Sequence, residues 1–226
     1  EFMIKKGPLF SNIILADEIN RTPPKTQAAL LEAMQENKVT AAGEDYNLEA
    51  PFFVLATQNP IEQEGTYPLP EAQLDRFMFS LNIDYPPFED EIEIVKSTTI
   101  EQQASLETII SREQILEYQK LVRRVPVADN VIEFAVKLSV NSRPGETNID
   151  FVKEWVDWGA GPRASQYLVL AAKASAALDG RPAPGIQDIT DVAKPVLRHR
   201  IIPNFNAEAE GIDSNVIVEK LIKEIQ

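Results

Sequence analysis

A short apolar segment that ends in two acids constrains this chain more than any other feature of its sequence. Ile13-Ile14-Leu15-Ala16 is followed directly by Asp17 and Glu18. An unbroken apolar run predicts a strand that is buried on both faces, as in the centre of a parallel sheet. Ligands of open α/β sheets bind just beyond the carboxyl ends of the strands. Asp17 and Glu18 therefore stand where a ligand is expected.

These two acids allow two interpretations. One carboxylate can hold Mg²⁺ while the next polarises a water molecule, and this pairing favours nucleotide hydrolysis. Alternatively, the acids only cap the helix that follows the strand. The six residues taken alone leave both interpretations open.

The composition of the 226 residues limits the classes of partner and compartment. The formal net charge of -13 argues against a general surface for nucleic acids or anionic membranes. The absence of cysteine rules out disulfides and thiolate metal sites. No apolar run approaches the length needed to span a membrane, and no signal peptide opens the chain. We therefore expect a cytoplasmic protein without membrane insertion and without nucleic acid as a partner.

The chain divides into two halves at Pro86-Pro87, because consecutive prolines resist both helix and sheet. Residues 1–85 alternate short apolar strands with helical segments, and residues 86–226 are nearly all helical in pattern. In the first half, the patterns predict a helix that Thr22 caps and that runs to about residue 35, a hairpin over 38–48, strands over 51–57 and 77–83, and a short helix over 71–76. In the second half, they predict helices over 89–99, 111–124, 130–142, 162–178, 188–200 and 213–226.

Polar residues recur at the ends of these elements in a fixed order. Asp17 and Glu18 end the first buried strand, and Asn59 follows the next one. Arg76 precedes the strand predicted over 77–83, and Arg163 opens an alanine-rich helix. Read singly, Asn59 is typical of a turn, Arg76 of a surface ion pair with its neighbouring acid, and Arg163 of a helix start.

Taken together, these segments resemble the AAA+ ATPases, and specifically their MoxR branch. The resemblance covers almost the whole chain in the right order. In the first half, the Walker B segment is Leu15-Ala16-Asp17-Glu18-Ile19-Asn20-Arg21, and the sensor 1 strand is Leu55-Ala56-Thr57-Gln58-Asn59-Pro60. The arginine-finger segment is Glu71-Ala72-Gln73-Leu74-Asp75-Arg76-Phe77. In the second half, the sensor 2 motif is Gly161-Pro162-Arg163-Ala164, and the lid signature is Pro195-Val196-Leu197-Arg198-His199-Arg200. It implies an α/β P-loop NTPase core with a parallel sheet over 1–85, N-terminally incomplete here, followed by an all-α lid over 86–226.

The resemblance also implies a role for each motif residue. Asp17 would orient the Mg²⁺ that bridges the phosphates of ATP, and Glu18 would polarise the attacking water. Asn59 would position that water and contact the γ-phosphate. Arg76 would reach the nucleotide of a neighbouring subunit, where a guanidinium stabilises developing charge. Arg163 would contact phosphate from the lid, in its own site or in a neighbour's.

The partners follow from the same resemblance. Members of this branch act as homo-oligomeric rings, so the expectation is a ring of six subunits that hydrolyses ATP at its interfaces. The expected activity is chaperone-like remodelling of a client, such as a metalloprotein or a von Willebrand factor A domain protein.

One motif of the family does not occur in the sequence. No G-x-x-x-x-G-K-[ST] loop, which cradles the phosphates with backbone amides and a lysine, occurs in the 226 residues. Either the chain is a fragment, which its start at Glu1 favours, or it is a degenerate relative that serves as a non-catalytic scaffold. In either case we expect these residues alone to bind ATP poorly. A DNA-translocating motor also ends a strand in Asp-Glu, but the acidic charge argues against this third interpretation.

Overall fold

The computed structural model describes residues 6–41, 43–59, 65–101 and 107–226. Six strands lie in the described ranges: β1 Ile13–Ala16, β2 Lys38–Ala41, β3 Glu44–Asn47, β4 Phe53–Ala56, β5 Val156–Trp158 and β6 Ile202–Pro203. Ten α-helices lie in the same ranges: α1 Pro24–Glu36, α2 Glu71–Leu74, α3 Phe88–Thr98, α4 Arg112–Arg124, α5 Asp129–Asn141, α6 Asp150–Trp155, α7 Pro162–Leu178, α8 Ile186–Leu197, α9 Phe205–Ala209 and α10 Ser214–Ile225. None of these described helices has the length and apolar character needed to cross a membrane.

Strands β1 and β4 form a parallel pair, as the resemblance implied. Their register places Ile13 opposite Phe53 and Ala16 opposite Ala56. The prediction that β1 is buried on both faces is wrong for the described chain, because Ile13 and Leu15 are 63% and 64% exposed. Successive residues of a strand point to opposite faces of the sheet. One face of the β1–β4 pair packs on α1 and the loop after β1. The other face, which includes Ile13 and Leu15, is not covered by any described residues.

Helix α1 begins at Pro24, one residue later than expected from Thr22 as its N-cap. Thr22 does not cap α1, because it closes a 3₁₀ turn over Ile19–Arg21 and donates its hydroxyl to the Ile19 carbonyl at 2.6 Å. Pro23 stands at the N-cap instead. The helix ends at Glu36, and the left-handed conformation of the next residue, Asn37, turns the chain toward β2. The predicted hairpin is confirmed as the antiparallel pair β2–β3.

The segment over residues 77–83 is not a strand, although its apolar pattern predicted one. Part of its backbone is bonded to the second half of the chain instead of to a sheet. The Ser80 N–H donates to the Pro195 carbonyl at 2.8 Å, and the Phe77 carbonyl accepts from Arg200 Nη2 at 2.7 Å. These bonds join the two predicted domains; the boundary at residues 85 and 86 itself stays a prediction.

The second half is built on one buried apolar cluster, to which α5, α7, α8 and α10 contribute most residues. All six predicted helices are present within a few residues of their predicted limits. Ser111 forms a capping box with Gln114 at the start of α4, and Asp213 caps α10. The short antiparallel pair β5–β6 was not predicted, and it adds a small sheet to an otherwise helical domain.

Candidate functional site

The carboxyl ends of β1 and β4 meet at one edge of the sheet. Because Ala16 pairs with Ala56, the next residues of the two strands, Asp17 and Thr57, lie side by side. The Thr57 hydroxyl donates to Asp17 Oδ1 at 2.6 Å and accepts from the Glu18 N–H at 2.8 Å. The Thr57 N–H donates to the Ala16 carbonyl, and the Ile19 N–H donates to the Thr57 carbonyl, both at 3.0 Å. Thr57 therefore fixes the carboxylate of Asp17 and the backbone of Glu18.

Glu18 has an unusual backbone conformation. Its φ of 48° and ψ of 52° lie in the left-handed region, which residues with a Cβ atom adopt at a cost. This conformation turns the chain sharply after Asp17. The Glu18 carboxylate is half-exposed, and its Oε2 lies 3.3 Å from Arg21 Nε.

A buried glutamine anchors the loop that follows the acids. Gln27, on the first turn of α1, is 3% exposed. Its amide donates to the Ile19 carbonyl at 3.0 Å and to the Tyr67 carbonyl at 2.8 Å. The Tyr67 N–H in turn donates to the Asn20 carbonyl at 2.6 Å. The acids are therefore held from the helix side as well as from the sheet side.

Asn59 belongs to the same edge of the sheet. It lies two residues beyond Thr57, after the end of β4, and is half-buried. The predicted neighbour Pro60 lies outside the described residues. The amide of Asn59 offers both a donor and an acceptor, which is the chemistry needed to orient a water molecule.

Arg76 lies away from this edge and contacts α1. Its Nη1 donates to the Leu31 carbonyl at 3.3 Å. The side chain is half-buried and lines an open cleft of about 300 Å³ together with Glu32 and Glu36. The guanidinium therefore faces a surface cleft in this structure.

Arg163 is paired with the residue that precedes Arg76. Its Nη1 lies 2.5 Å from Asp75 Oδ2. The other carboxylate oxygen of Asp75, Oδ1, accepts from Arg200 Nε at 2.7 Å. Two arginines of the second half of the chain thus share one carboxylate of the first half.

The side chain of Arg200 is buried and bonds the backbone of the segment that begins at Asp75. Its side chain is 1% exposed. Its Nη2 donates to the carbonyls of Asp75 and Phe77 at 2.8 and 2.7 Å, and its Nη1 donates to the Met78 carbonyl at 3.3 Å and to the Val196 carbonyl. A buried charge needs such pairing, because an uncompensated one is very costly.

Two further side chains complete this junction. His199 Nε2 lies 3.1 Å from the Phe77 carbonyl, and burial together with the charge of Arg200 lowers the pKa of His199 to about 4. Since a carbonyl can only accept, the neutral ring carries its proton on Nε2.

Tyr167 donates its hydroxyl to the Arg76 carbonyl at 3.3 Å, and its ring lies 5.2 Å below the Arg200 guanidinium. Tyr167 and Arg163 both stand on α7, so this helix contacts both residues of the Asp75-Arg76 pair.

The structure thus separates the predicted site residues into two groups. Asp17, Glu18 and Asn59 lie at the end of the β1–β4 pair, and Arg76 and Arg163 flank Asp75 at the junction with the helical domain. The described residues contain no cluster of three or more acidic, histidine or cysteine side chains that could hold a metal ion by themselves. Asp17 is nevertheless a carboxylate of the kind that suits Mg²⁺, which commonly takes one protein ligand and completes its shell with water and phosphate oxygens.

Three residues that organise these two groups were not singled out from the sequence: Thr57, Asp75 and Arg200. Thr57 had a usable signal, because Leu55-Ala56-Thr57 repeats the pattern of Leu15-Ala16-Asp17. Asp75 and Arg200 are far apart in sequence, and no local pattern pairs them.

Comparison with known proteins agrees with this fold. Residues 1–79 match the family model of the ATPase family associated with various cellular activities, and residues 151–221 match an AAA lid domain. YeaC of Bacillus subtilis is 43% identical over 230 residues that include 100% of this chain and 68% of that protein. Chaperone MoxR1 of Mycobacterium tuberculosis is 39% identical over 226 residues, and this chain spans 60% of its length.

A solved structure has the same fold. The crystal structure of a protein from Cytophaga hutchinsonii, described as a candidate ATPase, superposes with a TM-score of 0.93 at 42% identity. The superposition covers 99% of this chain and 68% of that one. The parallel strands, the helical domain and the sequence matches lead to one assignment. The chain belongs to the MoxR family of AAA+ ATPases, with an AAA+ α/β region followed by a helical lid.

Proposed function

We propose that the complete protein hydrolyses ATP with Asp17, Glu18 and Asn59 as the reactive edge of its nucleotide site. The observation that carries this proposal is the Thr57 hydroxyl, which bonds Asp17 Oδ1 and the Glu18 N–H at the joined ends of two parallel strands. A helix cap needs no such bridge between neighbouring strands. The preorganised acids favour the catalytic interpretation over the capping one.

Each residue at this edge has a distinct task in the proposed reaction. Asp17 presents its carboxylate to the Mg²⁺–phosphate group, and Glu18 orients a water molecule for attack on the γ-phosphate. Asn59 hydrogen-bonds the same water or a γ-phosphate oxygen. Bound Mg²⁺ would neutralise charge that develops on the phosphates. The different contacts of the two carboxylates support separate tasks, because Asp17 Oδ1 accepts from Thr57 whereas Glu18 Oε2 lies near Arg21.

The two arginines are proposed to act together on the nucleotide of a neighbouring subunit. Arg76 faces a surface cleft on α1, and Arg163 pairs with Asp75, the residue before Arg76. The hydrogen bonds of Arg76 and Arg163 described above do not involve Asp17. The contacts of α7 with both Asp75 and the Arg76 backbone favour action of Arg163 in the same neighbouring site as Arg76.

This arrangement requires a ring, and we propose a hexamer in which each interface contains one nucleotide. The lid would convert nucleotide state into a movement that remodels a client protein. The name of the relative Chaperone MoxR1 supports a chaperone-like activity. Clients such as metalloproteins or proteins with a von Willebrand factor A domain remain part of the proposal.

The Glu18→Gln variant of the complete protein tests the catalytic proposal. The amide keeps the size of Glu18 and the Thr57 bond to its backbone, but it polarises water poorly. We expect ATP binding within about threefold of the unmodified protein and turnover reduced by about a hundredfold or more. Binding is measured with a fluorescent ATP analogue and turnover by phosphate release.

A matched control separates this effect from a general loss of charge. Glu49 is an exposed acid whose carboxylate pairs with Arg112, and Glu49→Gln removes the same charge away from the proposed site. Its turnover is expected to stay within about twofold of the unmodified protein. If Glu18→Gln hydrolyses ATP as fast as this control, the assignment of Glu18 is wrong. If the complete protein binds no ATP at all, the scaffold alternative replaces the catalytic one.

A further inference from the structure

The carboxylate of Asp75 is divided between two arginines that differ greatly in how firmly they are held. Oδ1 accepts from Arg200, whose side chain is 1% exposed and which also donates to four backbone carbonyls. Oδ2 accepts from Arg163, whose side chain is 39% exposed. The pair with Arg200 is therefore part of the folded junction, whereas the pair with Arg163 borders on solvent.

Charge at this junction is not balanced. Arg163 and Arg200 bring two positive charges to the single negative charge of Asp75. The carbonyls that Arg200 contacts are neutral and leave the balance unchanged. The junction thus carries an excess of positive charge that an incoming anion can offset.

We propose that Asp75 holds Arg163 in reserve, and that nucleotide phosphate competes with the Asp75 carboxylate for the Arg163 guanidinium. This inference rests on the proposed role of Arg163 as a phosphate contact and adds its regulation by Asp75. When Arg163 leaves for phosphate, Asp75 keeps Arg200 as its partner, so neither buried charge is left unpaired. The exchange therefore avoids the large cost of stranding a buried ion.

The geometry allows the exchange without detaching the lid. Arg200 holds the carbonyls of Asp75, Phe77 and Met78, and none of these bonds involves Arg163. Tyr167, one turn along α7 from Arg163, bonds the Arg76 carbonyl. The arginine-finger segment thus stays fixed to the lid while Arg163 changes partner. Asp75 acts as a positioning residue that lowers nucleotide affinity by the free energy of its pair with Arg163.

The test is a double-mutant cycle on nucleotide affinity in the complete protein. A fluorescent ATP analogue is titrated into the unmodified protein, Asp75→Asn, Arg163→Ala and the double variant. We expect Asp75→Asn to bind about twofold to fivefold more tightly, the range that the loss of a half-exposed competing ion pair gives. In the Arg163→Ala background, Asp75→Asn is expected to change the affinity by less than about 1.5-fold.

Two controls separate the exchange from a general effect of charge and from misfolding. Asp179→Asn removes an equivalent lid carboxylate, which pairs with Arg181 on the surface, and its affinity is expected to match the unmodified protein. The Asp75→Asn, Arg200→Gln variant removes both charges of the pair and keeps the net charge constant, and its glutamine amide can still donate to one of the carbonyls that Arg200 bonds. Helical circular dichroism checks the folding of both Asp75 variants, and each should bind the analogue more tightly than the unmodified protein.

The outcomes distinguish this inference from the function beneath it. If Arg163→Ala weakens binding but neither Asp75 variant tightens it, the exchange is wrong and the role of Arg163 stands. If Asp75→Asn tightens binding equally in the Arg163→Ala background, the gain is a general effect of charge and the exchange is wrong. If Arg163→Ala leaves the affinity unchanged, both the exchange and the proposed phosphate contact of Arg163 are overturned, while the catalytic role of Glu18 is unaffected.

Discussion

Asp17 Oδ1 accepts a hydrogen bond of 2.6 Å from the hydroxyl of Thr57, a residue forty positions later in the chain. The bond connects the carboxyl ends of two parallel strands. The same hydroxyl accepts from the Glu18 N–H, so one small side chain sets the position of one proposed catalytic residue and the backbone of the next. Removing the Thr57 hydroxyl is therefore expected to disturb the site without removing any charge.

Thr57→Val should therefore lower ATP turnover in the complete protein while leaving the fold intact. Valine keeps the shape and the strand propensity of threonine but can neither donate to Asp17 nor accept from Glu18. We expect turnover to fall by about tenfold or more, because the acids lose their fixed geometry. Phosphate release at saturating ATP measures the effect.

Thr57→Ser is the matched variant, since it restores the hydroxyl on a smaller side chain. It should retain turnover within about threefold of the unmodified protein. Equal activity of the valine and serine variants would show that the hydroxyl does not position the acids.

The sequence could predict the acid edge of the site because its signals are local. An apolar run followed by polar residues indicates a strand end, and parallel strands bring such ends to the same edge. Asp17, Glu18 and Asn59 were placed there on that basis. The bridging function of Thr57 depends on the register of β1 against β4, and two separate apolar runs do not specify a register.

The junction at Asp75 could not be predicted because its partners are distant in sequence. The apolar pattern over residues 77–83 is the same for a strand as for a segment that packs against another domain. Here Arg200 and Pro195 bond the backbone of that segment, so side-chain and lid contacts replace a sheet ladder. The exposure of Ile13 and Leu15 was missed for a related reason: an apolar run reports what can be buried and not which neighbours are present.

Arg200→Ala should destabilise the protein strongly. Arg200 is buried, pairs with Asp75 and donates to four carbonyls. Removing one partner of such a buried pair costs about 3–5 kcal/mol. The unfolding midpoint in urea, followed by helical circular dichroism, measures the loss.

Arg198→Ala is the control, because Arg198 lies two residues away on the same turn and its Nε donates only a long bond of 3.4 Å to Lys194. It should cost less than about 1 kcal/mol. A similar midpoint for both variants would mean that the network around Arg200 adds little to stability.

His199 should make stability depend on pH between about 7 and 4. Its pKa is lowered to about 4 in the folded protein, chiefly by burial and then by the charge of Arg200. Its Nδ1 is buried and has no hydrogen-bond partner among the described residues, so a second proton would find no acceptor there. The unfolded chain, with an ordinary pKa of 6.5, binds a proton first as the pH falls.

Because the unfolded chain takes up the proton at a higher pH than the folded protein, the free energy of unfolding decreases as the pH falls. The contribution of His199 is fully present above about pH 6.5 and is lost as the pH falls through about 4, by a total of about 3 kcal/mol. Urea unfolding at several pH values measures it, and His199→Gln isolates it from the carboxylates, because glutamine can still donate to the Phe77 carbonyl. The difference in free energy of unfolding between the two proteins should shrink as the pH is lowered. A constant difference would contradict the prediction.

Mixed rings provide the sharpest test of Arg76 as a residue that acts on a neighbour. Arg76→Ala and Glu18→Gln should each inactivate a uniform ring. In a mixture, a site of the Arg76→Ala subunit has its own Glu18 and can receive Arg76 from an adjacent Glu18→Gln subunit. Random mixing in equal amounts should restore about one quarter of the sites in a head-to-tail ring, and phosphate release after mixing measures them.

A mixture of Glu18→Gln with Asn59→Ala is the control, because both residues are proposed to act within one subunit and no mixed interface restores them. Recovery in the first mixture and none in the second is expected; no recovery in either would place Arg76 in its own subunit's site or outside the reaction.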